Sequence, residues 1–261
     1  MFATDFLFDG QRLSDMGYTI ASIDGSTESV SGGNIEFNSV KPANSDKYKF
    51  YGANYNEVLT WTFTIMKNPC LYNDEELYIT QADESQLAKW LIKTDGYRYI
   101  QFLQDDYEDV VYQVYNNMTP VQICGRTVGF TITSTSNCGY GFTPEITKVF
   151  SISVDKPYMI NIYNDTRNVC YPTFNIQPSE SEFTIKNESE NTEKGLHIKN
   201  HNMGMSYHID TENEIIEGIS DPDDFNWHFV RLVDGGNVIS TDAAFDIEIE
   251  MIYRETRKVI V

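Results

Sequence analysis

The sequence predicts a mainly β protein in two domains: an N-terminal β-sheet domain carrying one α-helix and a hairpin, then an antiparallel β-sandwich. Three observations lead there. Only one stretch of the 261 residues, 81–93, shows sustained helical periodicity. Elsewhere apolar residues alternate with polar ones over short runs broken by Gly, Pro, Asn and Asp, the pattern of half-buried strands joined by tight turns. The composition favours strands, with 17 Tyr and 15 Phe in a chain that is 41% hydrophobic, enough apolar material for real cores.

Residues 2–9 place Phe2, Phe6 and Phe8 ahead of Asp9-Gly10, a strand entering a tight turn. A second strand at 17–24 sets Tyr18 and Ile20 on one face, and the Ser-, Gly- and Glu-rich stretch 25–34 reads as a loop. Residues 35–40 and 48–51 are short and fit neither period. At 58–66, Leu59, Trp61, Phe63 and Ile65 face a core while Thr60, Thr62 and Thr64 face outward, until Asn68-Pro69 ends the strand. The helix starts on a capping-box-like Thr80 and Asp83, carries Asp83 and Glu84 at its positive end and Lys89 and Lys93 at its negative end, and meets Gly96 as a left-handed stop. Leu87, Ala88, Trp90, Leu91 and Ile92 form one apolar arc, so this face packs on a sheet. Residues 97–103 and 110–115 flank the acidic turn 104–109 as a hairpin, and 128–133 adds a strand with Val128, Phe130 and Ile132 inward.

The pattern stops at 134–143, where Gly139, Gly141 and Pro144 punctuate the chain, giving domains 1–142 and 143–261. The second domain reads as short strands at 149–154, 158–163, 173–176, 182–185, 195–198, 206–209, 214–216, 227–233 and 245–253. The last two are the strongest, the final one alternating Phe245, Ile247, Ile249, Met251 and Tyr253 with acids. Gly32-Gly33 and Gly235-Gly236 sit where hairpin turns are expected. This spacing of strands and turns is that of a sandwich.

The residues nominate no catalytic, cofactor-binding or metal-ligating site. His197 and His201 are four apart but on a strand and its turn, so the helical spacing of a zinc pair is missing; His208 and His228 read as ordinary strand residues. The acidic clusters Asp105, Asp106, Glu108, Asp109 and Asp221, Asp223, Asp224 lack the spacing of a calcium loop and read as solvated turns. Nucleophile-elbow, phosphate-loop and dinucleotide motifs are missing. Trp61 and Trp90 fall on expected core faces and Trp227 begins an expected strand, so burial is expected for all three rather than stacking on a sugar. A net charge of −20 sets the chain against polyanions such as nucleic acid. No signal peptide and no membrane-spanning run is legible, which points to folding in a reducing cytosol with Cys70, Cys124, Cys138 and Cys170 as thiols. The Asn-x-Ser/Thr triplets at Asn117, Asn164 and Asn187 then carry no glycans.

Two groups of residues resemble a known family. Phe6-Leu7-Phe8-Asp9-Gly10 followed by Ser14-Asp15-Met16-Gly17-Tyr18, then the helix with Trp90-Leu91, the 97–103 strand and Asp109 to Tyr115, resemble the N-terminal domain of distal tail proteins. These are tail-tip proteins of siphovirus-type long-tailed phages and prophages, mainly of Gram-positive hosts. Tyr207-His208-Ile209-Asp210, Asn213 to Ile216 and Phe229 to Asn237 look like that family's galectin-like C-terminal sandwich, with Gly235-Gly236 where the family usually has Pro-Gly.

The resemblance implies a non-enzymatic virion component at the phage tail tip. Its N-terminal domains, each with a projecting hairpin, would close a ring, usually hexameric, that lets DNA pass. Its partners would be other copies of itself, the tail tube protein, the tail hub or tail-associated fibre protein, and receptor-binding or baseplate proteins. No cofactor, no membrane and no specific nucleic acid is implied. The arm reaching a neighbour is expected at the 104–109 hairpin or the loop near Ser26. The residues leave an alternative of another class, a carbohydrate-binding β-sandwich involved in host-surface adhesion, and a remoter one, a hydrolase with paired carboxylates.

Overall fold

A computed structural model describes residues 3–21, 35–55, 58–104, 109–178, 182–190, 194–199, 206–219 and 221–258. The loop expected at 26–34, most of the acidic turn 104–109 and the turn after His197 lie outside the described residues. The chain forms two compact units, Met1–Gly141 with Lys258–Val261, and Phe142–Arg257.

The first unit runs β1 (Asp5–Phe8), β2 (Gln11–Arg12), β3 (Tyr18–Ala21), β4 (Ile35–Val40), β5 (Lys49–Tyr55), β6 (Thr60–Lys67), α1 (Gln81–Leu91), β7 (Arg98–Leu103), β8 (Val111–Ile123) and β9 (Arg126–Ser136), and the chain leaves it within β10 (Gly141–Phe142). Its main sheet has the order β2-β1-β7-β8-β9-β6-β3, every neighbour antiparallel. Two of its hairpins close through two-residue turns with both residues left-handed, Asp9-Gly10 (φ 50 and 77) and Cys124-Gly125 (φ 50 and 77), the twist that suits paired strands. Phe6, Phe8, Trp61, Ile65, Ile100, Phe130 and Ile132 fill one face of the sheet.

Helix α1 lies on that face with Leu87, Trp90 and Leu91 buried. The Trp90 ring stacks on Phe6 at 5.7 Å, and its Nε1 donates to the Phe8 carbonyl at 3.1 Å. The capping box forms as read, with Thr80 Oγ1 accepting from the Asp83 amide and Asp83 Oδ2 from the Thr80 amide. The C-terminus differs. The helix ends at Leu91 because Ile92 is already extended (φ −97, ψ 103), so Gly96 is not its stop, and Ile92 is exposed rather than part of the apolar arc. The end is held instead by Asn116 of β8, buried, whose Nδ2 donates to the Leu91 carbonyl at 3.2 Å while Ser134 Oγ donates to its Oδ1 at 2.6 Å. This buried amide also explains why β8 runs on to Ile123 where the sequence suggested a stop at 115: Asn116 is packed against the helix, not turning the chain.

The second unit holds β11 (Ile146–Ile152), β12 (Tyr158–Ile162), β13 (Thr173–Pro178), β14 (Phe183–Asn187), β15 (Leu196–Ile198), β16 (Tyr207–Asp210), β17 (Ile215–Glu217), β18 (Gly235–Thr241), β19 (Ile247–Tyr253) and β20 (Thr256–Arg257). Two antiparallel sheets, β11-β19-β13-β16-β17 and β12-β18-β14-β15, face each other across one core, with Phe174, Ile209, Ile247 and Ile249 from one sheet and Phe183, Ile185, Leu196 and Ile239 from the other. The strand expected at 227–233 does not form; Leu232 makes an isolated bridge to Cys170. Gly235-Gly236, expected as a turn, opens β18. The cause is Asn237, buried, whose Oδ1 accepts from the Val233 amide and whose Nδ2 donates to the carbonyls of Val233 and Gly235, so the chain bends ahead of the glycines.

Candidate assembly surface

His197 and His208 have different partners. His197 on β15 has Nε2 3.3 Å from Glu182 Oε1 and Nδ1 3.0 Å from Thr184 Oγ1, and His208 on β16 has Nδ1 2.7 Å from Asn175 Oδ1. His201, Asp105, Asp106 and Glu108 lie outside the described residues, and Asp109 accepts from Gln101 Nε2 at 2.7 Å. Asp221 caps a short 3-10 turn, accepting from the Asp223 amide at 3.0 Å, as a turn residue does. Among the described residues no three His, Cys, Asp or Glu side chains converge as metal ligands, and no helix is long and apolar enough to cross a membrane. The cysteines are free thiols; Cys170 is buried, and that burial, reinforced by Glu255 and Asp234 and only partly offset by its Asn164 hydrogen bond, pushes its thiol up to about 11. The ion pair of buried Glu190 with the exposed Arg231 (Nε to Oε1 2.7 Å) ties the non-strand segment at 231 to the turn after β14.

Trp61 and Trp90 are buried as expected, at 4% and 8% exposure. Trp227 is not: it is 57% exposed, because its positive φ of 53 takes the chain out of the strand that would have turned it inward.

The surface with the shape of an assembly element is β4–β5. These strands pair with each other and, among the described residues, with no other strand. By contrast β7 and β8, the hairpin after the helix, are built into the middle of the main sheet, between β1 and β9. A bulge between Asn38 and Ser39 leaves Tyr51 as the extra residue between the pairs Asn38–Gly52 and Ser39–Phe50. Val40, Tyr48, Phe50 and Tyr51 are 58%, 68%, 61% and 69% exposed, and Lys41, Lys47 and Lys49 stand beside them with only Asp46 as an acid among residues 38–51. A two-stranded ribbon buries too little to stand alone in water, and this one is aromatic and basic on an acidic chain. The sequence hid it because 35–40 and 48–51 show no clean alternation to read; its one signal was a cluster of Tyr, Phe and Lys.

The fold is a helix-bearing β-sheet unit followed by a unit of two facing antiparallel sheets. The chain belongs to a phage tail protein family: the model described as phage tail protein N-terminal domain matches residues 1–138, and that described as phage tail C-terminal domain matches 140–253. No curated protein sequence matches the chain. Among solved structures, its fold is that of SPP1 Dit (gp 19.1), described as a paradigm of hub adsorption apparatus in Gram-positive infecting phages, with 14% identity, a TM-score of 0.56, and 97% of this chain and 98% of that one covered. Two β-fructofuranosidase structures from Schwanniomyces occidentalis also align, at 12% identity over 86% of this chain and 60% and 59% of theirs, with TM-scores of 0.22 and 0.21. Fold and family agree with the distal tail resemblance read from the sequence.

Proposed function

We propose that the chain is a non-enzymatic subunit of a ring at the tip of a long phage tail, joining the tail tube to the baseplate or fibre hub that meets the host. The observation that carries this reading is the fold match to SPP1 Dit across both units and almost the whole of both chains. The first unit would close the ring, probing its neighbour with β4–β5, and the second, whose sequence resembles the family's galectin-like domain, would dock on the periphery. The basic ribbon complements a chain whose net charge is −20, which makes a second copy its natural target. The same acidity suits a channel that must let DNA through without holding it. A ring whose lumen proved basic would remove that last point.

Mass in solution tests the reading. Light scattering or native mass spectrometry on the recombinant chain, alone and with the tail-tube protein of the same phage, is expected to show a closed species near six times the 30.0 kDa subunit. A chain that stays monomeric in both settings contradicts it.

A further inference from the structure

The sheet edges of the second unit are blunted against further pairing, except at one strand. β15 and β17 are only three residues long. β11 runs for seven, but its register sets the exposed Lys148 opposite the buried Met251, so a lysine points to the core side of that edge and guards it against strand addition. β12 has no such guard. It closes the other sheet, paired on one side to β18 and, among the described residues, to no strand on the other. Its residues, Tyr158-Met159-Ile160-Asn161-Ile162, include no charge, no Pro and no Gly, and its register against β18 is unbroken. Alternation divides them cleanly. Ile162 is buried, with Tyr158 and Ile160 packed against the same core and the Tyr158 ring stacked on Phe150 at 3.8 Å. Met159, 74% exposed, and Asn161, also exposed, face water.

An open backbone edge accepts an added strand, and side chains on its two faces decide which strand fits. The chain supplies one that fits on both. Laid antiparallel about a twofold axis at Ile160, β12 sets Ile160 against Ile160 of the second copy, Tyr158 against its Ile162, and Met159 against its Asn161. The inward pairs are all apolar and prolong the core of each copy, while the outward pairs are neutral. Charge narrows the choice further. Two chains of net charge −20 repel one another, so backbones come within the ~4.8 Å of paired strands most readily where no acid faces an acid. We propose that β12 is a self-pairing edge, through which two copies join their β12-β18-β14-β15 sheets into one continuous sheet. The contact uses neither strand of the β4–β5 ribbon and does not rest on ring closure. It is small, about 17 Å of edge, which places it among reversible associations.

Sedimentation velocity on the full chain, over about 1–200 µM, tests it. As concentration rises, the 30.0 kDa chain is expected to give way to twice that mass, and a closed ring, where one forms, to twice its own. Met159→Glu with Asn161→Glu sets carboxylate against carboxylate twice across the axis, at side chains that the single chain leaves exposed, and is expected to weaken the doubling about tenfold or more. Met159→Lys with Asn161→Lys is expected to weaken it alike. Mixed one to one, the acidic and basic variants are expected to pair with each other and regain the doubled mass, a rescue that damage to the fold would not allow. The proposal is overturned if the wild type shows no doubling up to about 200 µM, if doubling survives unweakened in both charged variants, or if their mixture stays undoubled. A chain that doubles in this way yet closes no ring contradicts the ring and supports the pair.

Discussion

Lys67 ends β6 with its side chain buried, and its ammonium gathers the segment that leads into α1. Nζ donates to the carbonyls of Glu76 and Tyr78, both at 3.1 Å, and pairs with Asp83 Oδ2 at 3.0 Å, while the Tyr72 ring lies 5.2 Å away. A Cβ at Gly17 would collide with the Tyr72 hydroxyl, so the same segment closes over the start of β3 only because residue 17 is a glycine, at φ 81. Replacing Lys67 with Met leaves two carbonyls without this donor and Asp83 without its ion pair, and is expected to lower stability by about 2–3 kcal/mol in urea unfolding, with an unchanged slope. Asp83 adds a pH signature. Burial alone would raise its pKa, but the Thr80 backbone N–H, the Lys67 ammonium and the Thr80 hydroxyl outweigh that and hold it below the usual carboxylate range. A depressed folded-state pKa stabilises at neutral pH and loses that contribution as pH falls through it. The stability gap between wild type and Asp83→Asn is therefore expected to close as unfolding is repeated at progressively acid pH.

Elements differed in how plainly the sequence announced them. Helix α1 was legible because its cap, its charges and its apolar face all agree, and β6 because one side of it must be buried. What misled were polar residues with buried jobs. Asn116 and Asn237 look like turn formers, yet one holds the end of the helix and the other bends the chain ahead of β18, so the far half of β8 and the whole of β18 went unread. Trp227, Phe229, Arg231 and Val233 alternate like a strand, and no residue type announces the positive φ that breaks it. The β4–β5 ribbon was illegible for another reason, since residues 35–40 and 48–51 lack the alternation that marks a half-buried strand. The contact role proposed for it makes a prediction at this scale. Phe50→Ser with Tyr51→Ser removes two exposed rings, so monomer stability should move by no more than about 0.5 kcal/mol while the assembled fraction in native mass spectrometry falls sharply. An unchanged distribution of masses would show that the ribbon is not the arm.

At the scale of the molecule, the placement of tryptophans separates the two units optically. Trp61 and Trp90 sit in the core of the first unit, and the second unit has only the exposed Trp227. Unfolding the first unit carries two indoles from an apolar core into water, which shifts emission to the red; unfolding the second leaves its indole in much the same solvent as before. Far-UV circular dichroism sees strands lost from both. Each unit has its own continuous apolar core, so the two are expected to unfold as separate cooperative blocks, and the fluorescence and dichroism transitions in urea should not coincide. Lys67→Met supplies the internal control, because it weakens only the first unit. It should move the whole fluorescence transition to lower urea and only one of two phases in dichroism, leaving the other phase where it was. Superimposable curves from both probes, displaced together by Lys67→Met, would instead make the chain a single cooperative unit.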